Sequence, residues 1–192
     1  QVEAFDKAAD FAIDPYLTAT GWTIPQYNYR IGYFINDRWA ISGGMDHMKY
    51  VMVKNQPSTI NGEINTTDTE FNGVYDNEPI ILTEEFLTFE HTDGLNYANI
   101  ETEYFRNIYK FSEKHSFNAY GGGGVGLLIP KSNVQLMGYE RNDVFHLAGF
   151  GLDLKAGANL TLWKYFFLQT ELKVGYINMG DILTRPNDVP DR

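Results

Sequence analysis

The sequence predicts an all-β fold: an antiparallel up-and-down transmembrane β-barrel, in which about eight strands enclose a polar, filled lumen. Six stretches of the chain alternate apolar and polar residues with the period of two that β-strands show. Three of the connections between these stretches are very short. One face of each stretch is aromatic or aliphatic and the other carries charged or small residues. Barrels that turn their apolar face to lipid have this pattern.

Composition indicates a single domain, residues 1–192, and narrows its class. The chain contains no cysteine, so it offers neither a disulfide framework nor a thiolate metal site. Its formal net charge of −10 argues against a nucleic-acid partner, because nucleic acids select basic surfaces. No run approaches the roughly 18 apolar residues of a membrane helix, but membrane strands do not require one. The 13 tyrosines and 13 phenylalanines suit aromatic girdles at two membrane interfaces.

The first strands are predicted from alternation and turn chemistry. Residues 27–35 place large apolar side chains at odd positions and polar or small ones at most even positions. The Asn-Asp-Arg sequence at 36–38 is a tight-turn signal, and the second strand follows at 39–53. Residues 54–85 are rich in Asn, Thr, Asp and Gly, so they are predicted to form a long polar loop.

The later strands alternate short turns with longer loops. In order they are strand 86–111, turn 112–115, strand 116–129, loop 130–143, strand 144–163, turn 163–164 and strand 165–178. Gly94 is a predicted bulge. The four glycines at 121–124 predict a close approach of the wall, since the Lys-Ser/Thr pair of a phosphate loop is missing. In strand 144–163 the even positions are predicted to face lipid, with His146 and Ala148 among them.

Six strands are too few for closure. The smallest membrane barrels have about eight, because an unpaired edge in lipid would leave backbone groups without hydrogen bonds. Residues 11–22 can supply a seventh strand, although Asp14-Pro15 weakens it. Residues 181–192 are polar and contain two prolines. We expect either that terminal strands are missing from this chain, which we favour, or that residues 11–22 and a partner chain complete the sheet.

The inward faces of the predicted strands carry both signs of charge. The interior of an eight-stranded barrel is filled by side chains, and buried charges persist only when they are paired. A salt-bridged, plugged lumen is therefore expected, with a narrow pore or proton path as the alternative. The predicted lumen charge network consists of Arg30, Glu101, Glu103, Asp153, Lys155, Glu171 and Lys173.

Two polar clusters, residues 46–50 and 91–97, lie at the predicted outer rim, on consecutive antiparallel strands that bring them close together. A histidine there could act as a general base oriented by a carboxylate, and a lysine could bind an anionic headgroup. The candidate catalytic residues are His47, His91, Asp46 and Asp93, and the candidate headgroup ligands are Lys49 and Tyr50.

Interfacial packing against lipopolysaccharide is the simpler interpretation, and it also suits His115 and His146. The two histidines with the carboxylates could also bind a metal or a small ligand. Nothing in the spacing demands this, so no metal or cofactor is assigned.

Residues 29–34 (YRIGYF) and 166–173 (FFLQTELK) resemble the small outer-membrane β-barrel superfamily of Gram-negative bacteria, and the resemblance spans residues 27–178. It implies an integral outer-membrane protein with eight strands, a filled lumen, periplasmic short turns and extracellular long loops. Members act as anchors, adhesion or immune-evasion surfaces, lipid enzymes and accessory subunits. A looser architectural resemblance links the chain to lipid A deacylase barrels, which carry Ser two residues after the catalytic His. Asp93 holds that position after His91, and Lys49 holds it after His47.

Three functional hypotheses follow. The first is a non-enzymatic integral outer-membrane barrel with a structural or interaction role, either alone or as an accessory subunit of a larger outer-membrane complex. Its partners would be outer-membrane lipid, lipopolysaccharide and other outer-membrane proteins. The alternative is an outer-leaflet hydrolase of lipid A or phospholipid that uses a rim histidine. The third is a soluble barrel with reversed faces, in which Asp153 and Lys155 are solvated and Leu152, Leu154 and Leu172 line a ligand cavity.

Overall fold

The computed structural model describes residues 2–6, 28–65 and 69–186, and in these ranges the protein is all-β. No helix that could cross a membrane occurs there. The predicted strand at 11–22 lies outside the described residues. The strands are β1 (Asn28–Phe34), β2 (Trp39–Met48), β3 (Gln56–Ile64), β4 (Gly73–Leu82), β5 (Leu87–Ser112), β6 (His115–Leu136), β7 (Asn142–Phe145), β8 (Gly149–Leu162) and β9 (Phe166–Met179).

The main sheet is antiparallel and follows the chain. Its strands are ordered β1-β2-β5-β6-β8-β9, and β7 pairs with the extended end of β6. All six predicted strands are present, and each pairs with its predicted neighbour, so the antiparallel up-and-down order is confirmed for them. Within the described residues the sheet does not close, because β1 and β9 do not pair with each other.

The predicted loop at 54–85 is wrong, because β3 and β4 form a separate antiparallel hairpin there. Pro57, Pro79 and a register shift between Ile60 and Gly62 interrupt the alternation in this segment. The hairpin contributes Ile60 and Leu82 to a buried cluster with Met52 and Phe86. Burial of such side chains contributes about 1.5–3 kcal/mol each, enough to order an otherwise polar segment.

The predicted boundary at residue 144 is also wrong. The strand predicted at 144–163 begins as β8 at Gly149, and residues 142–145 form β7. Between them the N–H groups of His146 and Ala148 donate to the carbonyl oxygens of Pro130 and Leu128. This connection buries Ala148 completely and half-buries His146, so neither has the predicted lipid-facing position.

The two faces of the main sheet have opposite character. Leu154 and Leu172 are 68% and 72% exposed, whereas Glu101 and Lys155 are only 1% and 5% exposed. The exposed outer face includes Ile31, Tyr33, Trp39, Ile41, Ile100, Val125, Leu127, Phe150, Leu152, Leu154, Leu168, Leu172, Val174 and Tyr176. The soluble-barrel hypothesis needs these faces reversed, so the structure contradicts it.

The sheet curls until side chains from its first and last strands meet. Arg30 of β1 lies 3.5 Å from Glu171 of β9, and Lys173 of β9 forms an ion pair with Asp46 of β2. β1 and β9 therefore enclose one common interior, although their backbones do not pair. An apolar cluster caps this interior at the end nearest the β3–β4 hairpin. It comprises Leu95, Tyr97 and Leu128, with Met48, Tyr50, Ile177 and Met179 packed against them.

Candidate functional site: the interior charge network and the rim histidines

Glu101 is the centre of the interior charge network. It lies in the middle of β5, opposite Ser42 of β2 and Gly124 of β6, on the face that curls inward. Its carboxylate accepts from Arg30 at 2.9 Å and from Lys155, and it also forms an ion pair with Lys173. Because the Glu101 side chain is inaccessible to solvent, these cations replace the hydration that its charge would otherwise require.

Lys155 is the most deeply buried cation of the network, with a side chain only 1% exposed. Its Nζ lies 2.6 Å from Glu103 Oε1 and 3.9 Å from Glu171 Oε2, in addition to its contact with Glu101. Ser42 Oγ donates to the same Glu103 oxygen at 2.6 Å. One cation of β8 therefore connects carboxylates of β5 and β9 across the interior of the curled sheet.

Asp46 belongs to this network and not to a catalytic pair. Its carboxylate accepts from Arg30 at 3.3 Å, from Asn99 Nδ2 at 3.0 Å and from Lys173. Its predicted role as an orienting residue for His47 is therefore wrong, because Asp46 faces the interior. The sequence contained this information, because Asp46 and Ser42 both occupy even-numbered positions of β2 and therefore lie on the same inward face.

Two interior tyrosines were missed by the sequence analysis. Tyr97 donates its hydroxyl to Asp153 at 2.8 Å, and Tyr120 donates to Glu171 at 2.9 Å. Tyr97 shares the inward parity of Glu101, and this parity could have identified it. Both residues were hidden because tyrosine is also the residue expected on a lipid-facing girdle.

The interior holds more acid than base, and neutral donors compensate for the difference. The cations are Arg30, Lys155 and Lys173, and the carboxylates are Asp46, Glu101, Glu103, Asp153 and Glu171. Ser42, Tyr97, Asn99 and Tyr120 each donate a hydrogen bond to one of these carboxylates. Six of the seven predicted network residues are thus joined by ion pairs in one interior, and Asp153 lies on the same face and accepts from Tyr97.

Glycines make room for these large side chains. A Cβ added at Gly124 would lie 2.5 Å from Glu101 Cγ and 2.6 Å from the carbonyl oxygen of Ile100. A Cβ at Gly126 would lie 2.5 Å from the ring of Tyr97. The close approach predicted for residues 121–124 is therefore confirmed at Gly124, where the neighbours are the network and the β5 backbone.

His47 lies at the rim, half-buried, on the face of β2 that carries Trp39 and Ile41. Its Nδ1 is 2.9 Å from Asn96 Oδ1, and its backbone N–H donates to Asn28 Oδ1. The ring lies over Gly94, whose φ of +81° breaks the β2–β5 ladder beyond Leu95. A Cβ at position 94 would overlap the imidazole, so the predicted bulge also makes the space for His47.

His91 lies deeper than predicted and is only 1% exposed. Its N–H donates to the carbonyl of Tyr50, and the rings of Phe89 and Tyr50 pack edge-on to its imidazole at 5.1 and 6.3 Å. Its Nδ1 lies 3.3 Å from Ser132 Oγ. Ser132 lies in the segment 130–143 that was predicted as a loop, so its contact with His91 was not predicted.

The two histidines are on adjacent strands but do not form one site. His47 pairs with Asn96, whereas His91 is beside Tyr50, three positions further along, or about 10 Å at the rise of a strand. The side chain of Asp93 lies outside the described residues. Lys49 is exposed, as a headgroup ligand would be, but Tyr50 is half-buried against the apolar cap and does not face outward. Among the described residues, no group of three or more His, Asp or Glu could hold a metal ion.

Burial, with a smaller contribution from the charge of His146, lowers the pKa of His91 from 6.5 to about 4. The unfolded chain therefore takes up this proton at a higher pH than the folded protein. The free energy of unfolding should fall as the pH drops from about 6.5 to about 4, by up to about 3 kcal/mol, and level off below that range. Guanidinium unfolding in phospholipid vesicles at several pH values measures this. The variant His91→Gln should lose this pH dependence. An equal dependence in both proteins would contradict the assignment.

Comparison of the chain with protein-family models, curated proteins and solved structures found no match.

Proposed function

We propose that the protein is an integral β-barrel of a bacterial outer membrane, with a structural or interaction role and no catalytic activity. One observation carries this proposal: the main sheet exposes its large apolar side chains and buries its charges. In water that distribution would be costly, because a contiguous apolar surface of this extent is rarely left exposed. In a bilayer it is the favourable one.

The height of the apolar surface supports the proposal. On β6 the exposed apolar positions run from Phe117 to Leu127, and on β9 they run from Phe166 to Tyr176. Each of these runs covers the roughly 9–11 residues that a tilted strand needs to cross the hydrocarbon core. Trp39, Phe111, Trp163 and Tyr165 gather near the short-turn end, where aromatic side chains favour the interface. We place the short turns in the periplasm and the β3–β4 hairpin outside the cell.

Closure of the barrel belongs to the same proposal. β1 and β9 already share an interior through Arg30 and Glu171, so the seam between their backbones is bridged only by side chains. A closed membrane barrel needs about eight strands, so the proposal requires further strands to pair with β1 and β9. The interior is filled by paired charges, which favours an anchor or a docking protein over a pore. The exposed Lys49 would then meet lipopolysaccharide or lipid headgroups, and the hairpin would meet other outer-membrane proteins.

The geometry favours this role over lipid hydrolysis at the rim. Ester cleavage would require Ser132 Oγ to attack a carbonyl carbon while His91 takes up its proton. Both side chains are buried, and the lowered pKa of His91 makes it a weak base at neutral pH. The orienting carboxylate proposed for His47 is used by the interior network instead.

Electrophoresis in SDS tests the membrane proposal directly. A closed barrel extracted in detergent should resist SDS and migrate faster before boiling than after it. The outer apolar face should also keep the protein in the detergent phase during partitioning. A protein that is soluble without detergent and shows no change on heating would refute the proposal, and another polypeptide would then have to cover the apolar face.

A further inference from the structure

An apolar cleft of about 270 Å³ lies outside the charged interior, next to the apolar cap. It is located at His91, nine positions before Ile100 on β5. At that point β5 extends beyond the exposed apolar face of the main sheet. Its walls are formed mainly by Phe5, Tyr50, Met52, Leu87, Phe89 and Met179. His91 is the buried polar residue on its surface, and Asp6 is an exposed one. The proposed membrane function uses none of these groups.

We propose that this cleft binds one uncharged amphiphile, with its alkyl chain among the aromatic and methionine side chains and its neutral head at the mouth. An apolar pocket with a few polar groups and a titratable residue of perturbed pKa is the usual form of a small-ligand site. An apolar cavity of about 150 Å³ accepts a benzene ring, so a cleft of 270 Å³ has room for one slender chain or a two-ring ligand.

One wall of the cleft is held in place by specific hydrogen bonds. Phe5 donates its N–H to Gln56 Oε1 at 2.7 Å and accepts from Gln56 Nε2 and from the N–H of Val53, each at 3.0 Å. Backbone bridges join Val2 to Ile60 and Asp6 to Met52. The cleft is therefore built before a ligand arrives, which reduces the ordering cost of binding. Phe5 is still 72% exposed, so a ligand that covers it would gain apolar contact.

Charge selects against anionic ligands. Asp6 is fixed at the cleft because its Oδ1 accepts the N–H of Val51 at 2.9 Å. The whole chain carries a net charge of −10. His91 stays neutral at pH 7 because burial lowers its pKa to about 4, so it supplies no positive charge. A fatty alcohol or a neutral ester fits this environment, whereas a fatty-acid anion would be repelled by Asp6, and the described residues that line the cleft include no cation.

Photolabelling in nanodiscs tests the proposal with a decanol that carries a diazirine at the end of its chain. We expect crosslinks at Met52, Phe89 and Met179 in the cleft, in addition to background labelling of the lipid-facing Leu152 and Leu172. Ala4 is exposed and lines the cleft, so Ala4→Trp should fill the cleft without disturbing the core. This variant should reduce cleft labelling by about tenfold or more and leave outer-face labelling unchanged.

The control is Glu3→Trp, which places the same ring one residue away, on a different surface, and should label as the parent does. The proposal would be overturned if the parent protein shows no labelling in the cleft, or if Ala4→Trp still shows it. The corresponding decanoate probe should label the cleft more weakly than the alcohol, and equal or stronger labelling would overturn the charge selection. Missing outer-face labelling alongside normal cleft labelling would count against membrane insertion and would support the cleft as an independent site.

Discussion

Replacing Lys155 with methionine is expected to destabilise the folded protein by about 3–5 kcal/mol, because it leaves the buried Glu103 without its ion-pair partner and removes one cation from Glu101. Lys155 is the cation that contacts Glu101, Glu103 and Glu171 at once, and its side chain is 1% exposed. Methionine preserves most of the side-chain volume, so the expected loss reports the charge and not a cavity.

Denaturant unfolding in vesicles measures this effect, and the chain offers two matched controls. Lys173→Met removes a cation that is 21% exposed and leaves Arg30 beside both Asp46 and Glu101, so its effect should be smaller. Lys110→Met removes an exposed partner of Glu113 and should change stability by less than about 1 kcal/mol. A Lys155→Met protein that is as stable as Lys110→Met would show that the interior carboxylates do not depend on this cation.

A second substitution separates charge from packing in the same network. Glu103→Gln in the Lys155→Met background removes the carboxylate that has lost its ion-pair partner and keeps a side chain that can accept from Ser42. We expect the double variant to regain part of the lost stability, since its burial cost is lower than that of the single variant. If the double variant is less stable than Lys155→Met alone, then the loss comes from packing.

The sequence predicted the six strands of the main sheet well because each has one strongly apolar and one strongly polar or small face. The period of two then determines which residues share a face, and the seven charged residues of the predicted network lie on the inward face. Tyr97 and Tyr120 were missed for the same physical reason, since a tyrosine suits either face. The β3–β4 hairpin was missed because Pro57, Pro79 and the register shift after Ile60 interrupt its period of two.

The rim histidines could not be placed by pattern alone. Register beyond Gly94 depends on a bulge, and a shift of one residue changes the face of every side chain that follows. The contact between His91 and Ser132 depends on that irregular register and on the extension of β6 past Ile129. Asp46 illustrates the opposite case, since parity alone would have placed it in the interior had it not been assigned to His47.

The four consecutive glycines at 121–124 offer a direct test of how the interior is packed. Gly124→Ala is expected to destabilise the protein by about 1–3 kcal/mol, as overpacking of a filled core does. The added Cβ would lie 2.5 Å from Glu101 Cγ, 2.6 Å from the Ile100 carbonyl oxygen and 3.1 Å from Asp153 Oδ2. The Glu101 side chain could move only by weakening its ion pairs, and the Ile100 carbonyl belongs to the β5 ladder.

Gly121→Ala is the matched control, three positions away in the same strand and on the outer face. Its added Cβ would have one neighbour, the Lys155 carbonyl oxygen at 3.6 Å, which is ordinary contact. Its stability should change by less than about 0.5 kcal/mol, or rise slightly as the unfolded chain loses freedom. Equal unfolding midpoints for the two variants would mean that the interior is loosely packed. A clear gap between them would instead show that the glycine at 124 is required by the charge network it faces.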